Sequence, residues 1–180
     1  MIKEEQPTIE LIAGCKNGDR RAQEKLYRDF YRVMMNLCLR YTKNDVDAME
    51  ALNTGFYKVF KNIQRYDPAQ SSLYTWIRTI VINSCLDLAS KENIIQPMEL
   101  TENDGKEISP EVISKLGAAH LLEMIRILPA ATQAVFNLFV IEGYSHKEIA
   151  GLLKISEGTS KWHVSDARKK LQLMINEEQY

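Results

Sequence analysis

Breakers are scarce in this chain: eight glycines and five prolines among 180 residues. That shortage points to long helices rather than many turns. Cysteine is scarce too. Cys15, Cys38 and Cys85 are odd in number, lie far apart and make no Cys-x-x-Cys pair, a pattern of reduced core thiols and not of a disulfide frame. Nor is there an excess of charge of either sign, since 23 Lys and Arg stand against 24 Asp and Glu, a net charge of −1. A chain that binds DNA unaided usually carries a basic excess, because phosphate neutralisation supplies most non-specific affinity. Either this chain does not bind DNA, or a larger partner supplies the electrostatics.

No stretch approaches the roughly 20 apolar residues that span a bilayer. The start, Met1-Ile-Lys-Glu-Glu-Gln-Pro, is acidic and lacks the apolar run of a signal peptide. A cytoplasmic protein without membrane insertion is expected. The three histidines, His120, His146 and His163, are isolated. His120-Leu-Leu-Glu123 has ligand-like spacing, but it sits in an apolar helical stretch with no second motif. No phosphate loop or nucleophile elbow occurs. Neither an enzyme, nor a metal, nor a cofactor is expected.

What is present is helical periodicity. With 45% hydrophobic and 26% charged residues, the chain is an ordinary globular one, long enough for one large or two small domains. The pattern predicts an all-α fold of two helical domains joined by a flexible acidic linker: residues 1–91, 92–114 and 115–180. Thr8 caps a first helix to about Lys16, broken by Asn17-Gly18. Asp19 caps a second, in which Ala22, Leu26, Phe30, Val33, Leu37 and Tyr41 recur at helical spacing beside Cys38. Asn44-Asp45 opens a third, with Ala48, Leu52, Phe56, Val59, Phe60 and Ile63 on one face. Tyr66-Asp67-Pro68 stops it. Ser71 or Ser72 caps a fourth, carrying Leu73, Trp76, Ile77, Ile80, Val81, Cys85, Leu86 and Leu88. The β-branched run Ile80-Val81-Ile82 also suits a strand, but helical spacing on both sides decides for helix. From about Lys91 to Ser114, Glu92, Glu99, Glu102, Asp104, Glu107 and Glu111 accumulate among Pro97, Gly105 and Pro110, which reads as a solvated spacer or a contact segment. A helix from about Pro110 to Ile127 follows.

The most informative stretch runs from Leu128 to Leu171. Pro129 suits a first helical position, and Gly143 ends that helix. Ser145 caps the next, and with Glu148 three residues on makes a capping box. Ile149, Ala150 and Leu153 form its apolar face. Lys154-Ile155-Ser156 is a turn, with Ser156 capping the last helix. There Ser160, Val164, Ala167, Leu171 and Met174 make one inward stripe. Lys161, Trp162, His163, Ser165, Arg168 and Lys169 are left facing out, as on a recognition helix entering a major groove. The C-terminal domain therefore reads as a helix-turn-helix. Thr159 and Ser156 sit at the helix N-terminus, where N–H groups favour phosphate, and Lys161 and Ser165 are placed to reach base edges. Trp162 either lies on the sugar–phosphate backbone or covers the domain surface. Asp166 either accepts from cytosine N4 or points away.

Both halves together resemble a known family. Leu128-Pro129, Glu142-Gly-Tyr-Ser, Glu148-Ile-Ala, Ser156-Glu-Gly-Thr-Ser-Lys and Ala167-Arg-Lys-Lys-Leu resemble the DNA-binding domain of bacterial sigma factors, most of all the small extracytoplasmic-function (ECF) type. Asp47-Ala-Met-Glu-Ala-Leu-Asn-Thr-Gly-Phe-Tyr-Lys-Val-Phe is similar to the helix by which these factors grip core RNA polymerase. Tyr66-Asp-Pro, Trp76-Ile-Arg and Ile82-Asn followed by Asp87 resemble the segment that binds and opens the −10 promoter element. The resemblance runs from about Glu10 to Met174.

It implies core RNA polymerase and promoter DNA as partners, with an anti-sigma factor, common in the family, as a further candidate. Asp47, Glu50, Asn53 and Thr54 would meet the polymerase, Thr54 standing where an acidic residue is frequent. Gly55 would admit a closely packed partner backbone or be incidental. Tyr66, Tyr74, Trp76, Arg78, Asn83 and Lys91 would meet −10 DNA through stacking and phosphate contact. Ser156, Thr159, Lys161, Trp162, His163, Ser165, Arg168 and Lys169 would meet the −35 element. The acidic linker would occupy a basic channel on polymerase. Judged on the residues alone, an autonomous helix-turn-helix regulator and a helical module that binds no DNA remain alternatives.

Overall fold

The computed structural model describes residues 9–91 and 118–177, all helices and short turns with no strand among them. Residues 9–39 and 44–88 form one compact unit, and residues 118–177 lie in a second. The acidic linker, the Thr8 cap and the first part of the Pro110–Ile127 helix fall outside the described residues.

In the first unit α1 spans Ile9–Lys16, α2 Arg20–Tyr41, α3 Asp45–Asn62 and α4 Leu73–Lys91. Asp19 opens α2 by accepting from the Arg21 N–H at 3.0 Å. The buried stripe of α2 steps through Leu26, Met34, Leu37 and Cys38. The expected Val33 is instead 38% exposed. A spacing of four from Phe30 keeps Met34 on the core side, whereas a spacing of three at that point rotates the stripe outward. Ala48, Leu52, Phe56 and Val59 of α3 are buried as expected, with Ala51 and Gly55 beside them. A 3-10 turn, Ile63–Arg65, then ends α3.

Ser72, not Ser71, starts α4, its Oγ accepting from the Thr75 N–H at 3.1 Å. The stretch Ile80-Val81-Ile82 is helical, and Val81 and Ile82 are both buried. Cys38 and Cys85 bring α2 and α4 together, their sulfurs 3.7 Å apart, and all three cysteines are buried thiols outside any disulfide.

In the second unit α5 spans Ala118–Ile127, α6 Ala130–Phe136, α7 His146–Leu153 and α8 Glu157–Glu177. Pro129 is the N-cap of α6 rather than its first helical residue, with an extended ψ of 141°. The α6 helix widens into a π-helical stretch, Asn137–Ile141, and Gly143 at φ +77° turns the chain, a conformation that glycine adopts without strain. Met124, Ile125, Leu128, Phe136, Ala167, Leu171 and Ile175 form the core, with Leu121 and Met174 against it. Each of these side chains larger than Ala167 contributes roughly 1.5–3 kcal/mol when fully buried. Of these seven, α8 supplies three, which hold its apolar face against the core.

Candidate nucleic-acid interface

The entry to α8 is locally determined. Ser145 caps α7 by accepting from the Glu148 N–H, and Glu148 Oε2 accepts from the Ser145 N–H at 2.8 Å, a complete capping box. The Ser145 hydroxyl also donates to Glu148 Oε2, at 2.6 Å, and this bond, with that from the Ser145 N–H, holds the Glu148 carboxyl below its ordinary range. The turn between α7 and α8 passes through Lys154 in the left-handed region, φ 56° and ψ 43°. Ser156 Oγ accepts from the Thr159 N–H at 2.9 Å and pairs with Thr159 Oγ1 at 2.8 Å. One of the first-turn N–H groups is therefore already satisfied by the cap, and the exposed Glu157 stands beside the rest. The helix end is a weaker phosphate site than an uncapped one.

Along α8 the side chains divide by face. Ser160, Val164, Ala167 and Leu171 are buried as expected. Lys161 and Lys169 are exposed, and Trp162, Ser165 and Arg168 half-buried. These five recur at steps of three and four, so they share one outward stripe. His163 does not join them. It is only 4% exposed, and its Nδ1 stands 3.0 Å from Thr132 Oγ1 of α6. The expectation that it faces outward is corrected: two residues beyond Lys161, it lies some 200° around the helix, against α6.

Asp166 is inward too. It accepts from Thr132 Oγ1 at 3.2 Å and pairs with Lys170 Nζ at 2.6 Å. Trp162 packs edge-on against His163, ring centroids 5.0 Å apart. A second histidine braces the start of α8. His146 Nδ1 stands 2.9 Å from Ser160 Oγ, and its ring stacks on Phe139 at 4.2 Å. Burial lowers the pKa of both histidines, and Lys161 lowers that of His146 further.

On α3, Glu50, Asn53 and Thr54 are exposed and Asp47 half-buried, all on the face opposite the core. Two of the four are engaged inside the unit. Asp47 exchanges hydrogen bonds with the cap residue Asn44, its N–H donating to Asn44 Oδ1 at 2.8 Å and its Oδ2 accepting from Nδ2 at 2.7 Å. Asn53 Oδ1 accepts from Tyr27 OH at 3.1 Å. Sequence reasoning missed Val46 and Tyr57, which are 77% and 64% exposed on this face. Their signal was their position off the apolar stripe of α3. Gly55 faces the other way, onto Val81. The backbone that it admits is therefore α4 of this chain, and the expectation of an outside partner there is corrected.

The candidates around α4 do not all come together. Tyr66 is buried, only 5% exposed. Its OH donates to the Ser71 carbonyl at 3.2 Å, its ring meets Trp76 at 5.3 Å, and Lys16 donates to its carbonyl at 3.1 Å. Tyr66 thus anchors the loop that positions α4, and burial raises its pKa, helped by Asp67. Tyr74 is 36% exposed, and Trp76, Arg78 and Asn83 are half-buried. By helical spacing Tyr74 and Arg78, one turn apart, share a face, and Trp76 and Asn83, two turns apart, share another. Lys91 ends α4, and its side chain falls outside the described residues.

Among the described residues no helix is long and apolar enough to cross a membrane, and no His, Cys, Asp and Glu side chains group as a metal site.

Comparison with known proteins agrees with these two units. The family model for Sigma-70 region 2 matches residues 26–93, and that for Sigma-70 region 4 matches residues 119–171. The chain is 28% identical over 177 residues to the ECF RNA polymerase sigma factor SigM of Mycobacterium tuberculosis, covering 96% of this chain and 87% of that protein. It is 24% identical over 194 residues to the RNA polymerase sigma-H factor of Pseudomonas aeruginosa, covering 98% and 100%. Among solved structures, CnrH in complex with the cytosolic domain of CnrY has the same fold, with a TM-score of 0.51 at 19% identity, covering 92% of this chain and 95% of that one. With both regions in order along one chain, the protein belongs to the sigma-70 family as an ECF-type factor, a subunit that binds core RNA polymerase and directs it to promoter DNA for transcription initiation.

Proposed function

We propose a division of labour between three segments, residues 1–91, 92–114 and 115–180. The outward face of α3, with Asp47, Glu50, Asn53 and Thr54 flanked by Val46 and Tyr57, docks on core polymerase. A face that is acidic and amide-bearing between two apolar side chains suits a basic partner surface. The Tyr74, Trp76, Arg78 and Asn83 side chains of α4 engage the −10 element by stacking and by donor contacts, with Tyr66 holding the loop before them. The linker, residues 92–114, lies in a basic channel of polymerase. The outward stripe of α8, Lys161, Trp162, Ser165, Arg168 and Lys169, reads the −35 element, with Ser156 and Thr159 at its phosphate-facing end.

One observation carries this reading: a single helix turns its apolar and hydrogen-bonded residues to the core and leaves Lys161, Arg168 and Lys169 on one outward stripe. A net charge of −1 fits a factor whose DNA affinity emerges only in the holoenzyme. The protein acts in the cytoplasm and carries out no chemistry of its own. The partner of CnrH in its complex, the cytosolic domain of CnrY, favours a comparable inhibitor here, competing for the Asp47–Phe60 face or for the surface of the second unit.

The test is promoter binding by the holoenzyme across a salt series. Lys161→Ala and Arg168→Ala each weaken binding and lower the salt slope by about one for each phosphate no longer neutralised. An unchanged slope in both variants would remove the two residues from the DNA interface.

A further inference from the structure

Thr132, Asp166 and His163 form a nearly dry polar cluster between α6 and α8, at 2%, 7% and 4% exposure. The reading of α8 proposed above makes no use of it. Its hydrogen bonds have a determined direction. The Asp166 carboxylate, paired with the Lys170 ammonium, can only accept. It takes the single Thr132 proton at 3.2 Å. Thr132 Oγ1 therefore has only lone pairs left for His163 Nδ1 at 3.0 Å, so that nitrogen must carry a hydrogen. The chain runs His163 Nδ1–H to Thr132 Oγ1, and Thr132 O–H to Asp166 Oδ2.

We infer that Thr132 is a positioning residue for promoter reading: one hydroxyl on α6 grips α8 at two points one turn apart, and so fixes which side chains face the −35 groove. The inference rests on α8 being the −35 helix.

Apolar contacts alone would hold α8 against the core but tolerate small rotations and slides, since they are not directional. A hydroxyl that must donate at one end and accept at the other tolerates neither. His163 and Asp166 lie one turn apart, so satisfying both sets the helix rotation and its height together. Even a small rotation or slide of α8 would carry Lys161, Ser165 and Arg168 away from the base edges they read. A buried polar network of this kind adds specificity of register more than stability.

The test uses the full chain with Thr132→Val, which keeps the shape and removes the hydroxyl, and Thr132→Ser, which restores it. The first readout is the His163 tautomer by nitrogen-15 NMR of the free chain. The Nδ1–H form is expected in the wild type and in Thr132→Ser, and an Nε2–H form in the wild type overturns the inference whatever the variants do. The second is the preference of the reconstituted holoenzyme for an in vitro-selected promoter over the same promoter with its −35 bases exchanged and −10 intact. Thr132→Val should reduce that preference by about tenfold, on the scale of one base contact, and Thr132→Ser should retain it.

If Thr132→Val keeps the full preference while Lys161→Ala and Arg168→Ala abolish it, α8 is the reading helix and Thr132 does not position it. If none of the three changes the preference, the reading of α8 itself has failed. Should Thr132→Val not fold, Asp166→Ala, which removes the acceptor for the Thr132 hydroxyl, takes its place, with the same loss of preference expected and an undiminished preference contradicting the inference.

Discussion

Gly55 and Val81 bring α3 and α4 into close contact: a Cβ built on Gly55 would stand 3.0 Å from Val81 Cγ2 and 3.3 Å from Val81 Cα. Val81 is fully buried, so it has little room to withdraw. An added methyl gains up to about 1 kcal/mol of helix propensity, but overpacking a core costs typically about 1–3 kcal/mol. Gly55→Ala should therefore lower the stability of the first unit by about 1 kcal/mol, and Gly55→Leu by more. Chemical denaturation followed by circular dichroism measures both. A higher midpoint for Gly55→Ala would mean that the two helices separate at little cost.

Lys154 is the one non-glycine residue with positive φ among those described. Its left-handed conformation costs an L-residue roughly 1–2 kcal/mol, a cost that glycine avoids. Lys154→Gly should raise the unfolding midpoint of the second unit, whereas Lys154→Ala, which retains a Cβ, should not. A lower midpoint for the glycine variant would show that the lysine makes a compensating contact in the turn.

The capping box gives a third expectation. Ser145→Ala removes the acceptor for the Glu148 N–H and should cost about 1 kcal/mol, the usual loss for a serine cap. Ser145→Asp, which restores an acceptor, should recover most of it. Equal midpoints for wild type and alanine variant in a thermal melt would contradict a stabilising cap.

The histidines that brace α8 predict a pH dependence. Burial lowers both His146 and His163 from an ordinary value of 6.5. The unfolded chain then binds more protons than the folded one at mildly acid pH, so stability rises with pH there. The contribution is complete above the unfolded value, about 6.5, and is lost as pH falls from there through the folded values. Urea unfolding at several pH values should show it, and replacing His163 by Asn should flatten the trend. A stability that stays level or rises on acidification through this window would contradict it.

The helices and both caps of the helix-turn-helix were legible because their signals are local: Ser145 and Glu148, or Ser156 and Thr159, lie within one turn of each other. The outward placement of Lys161 and Lys169 followed from the same periodicity. What escaped was whatever depends on distant partners. His163 and Asp166 look like surface residues until Thr132, more than thirty positions earlier, is brought against them. Tyr66 resembles an exposed loop aromatic, but Lys16, Ser71 and Trp76 close around it. Gly55 is a helix-weakening residue in sequence and a contact point only once α4 is in place. Val33 and Met34 show a local limit, since adjacent apolar residues leave the stripe ambiguous by one step.

The most direct measurement is co-elution of the purified chain with core RNA polymerase in gel filtration at moderate salt, beside Glu50→Lys. Glu50 is the cleaner choice for charge reversal, because Asp47 also closes the Asn44 cap of α3. The account predicts that the wild type co-elutes and that the reversal weakens the complex while leaving the helical signal intact. A wild-type chain that elutes apart from polymerase yet binds DNA tightly by itself would contradict it.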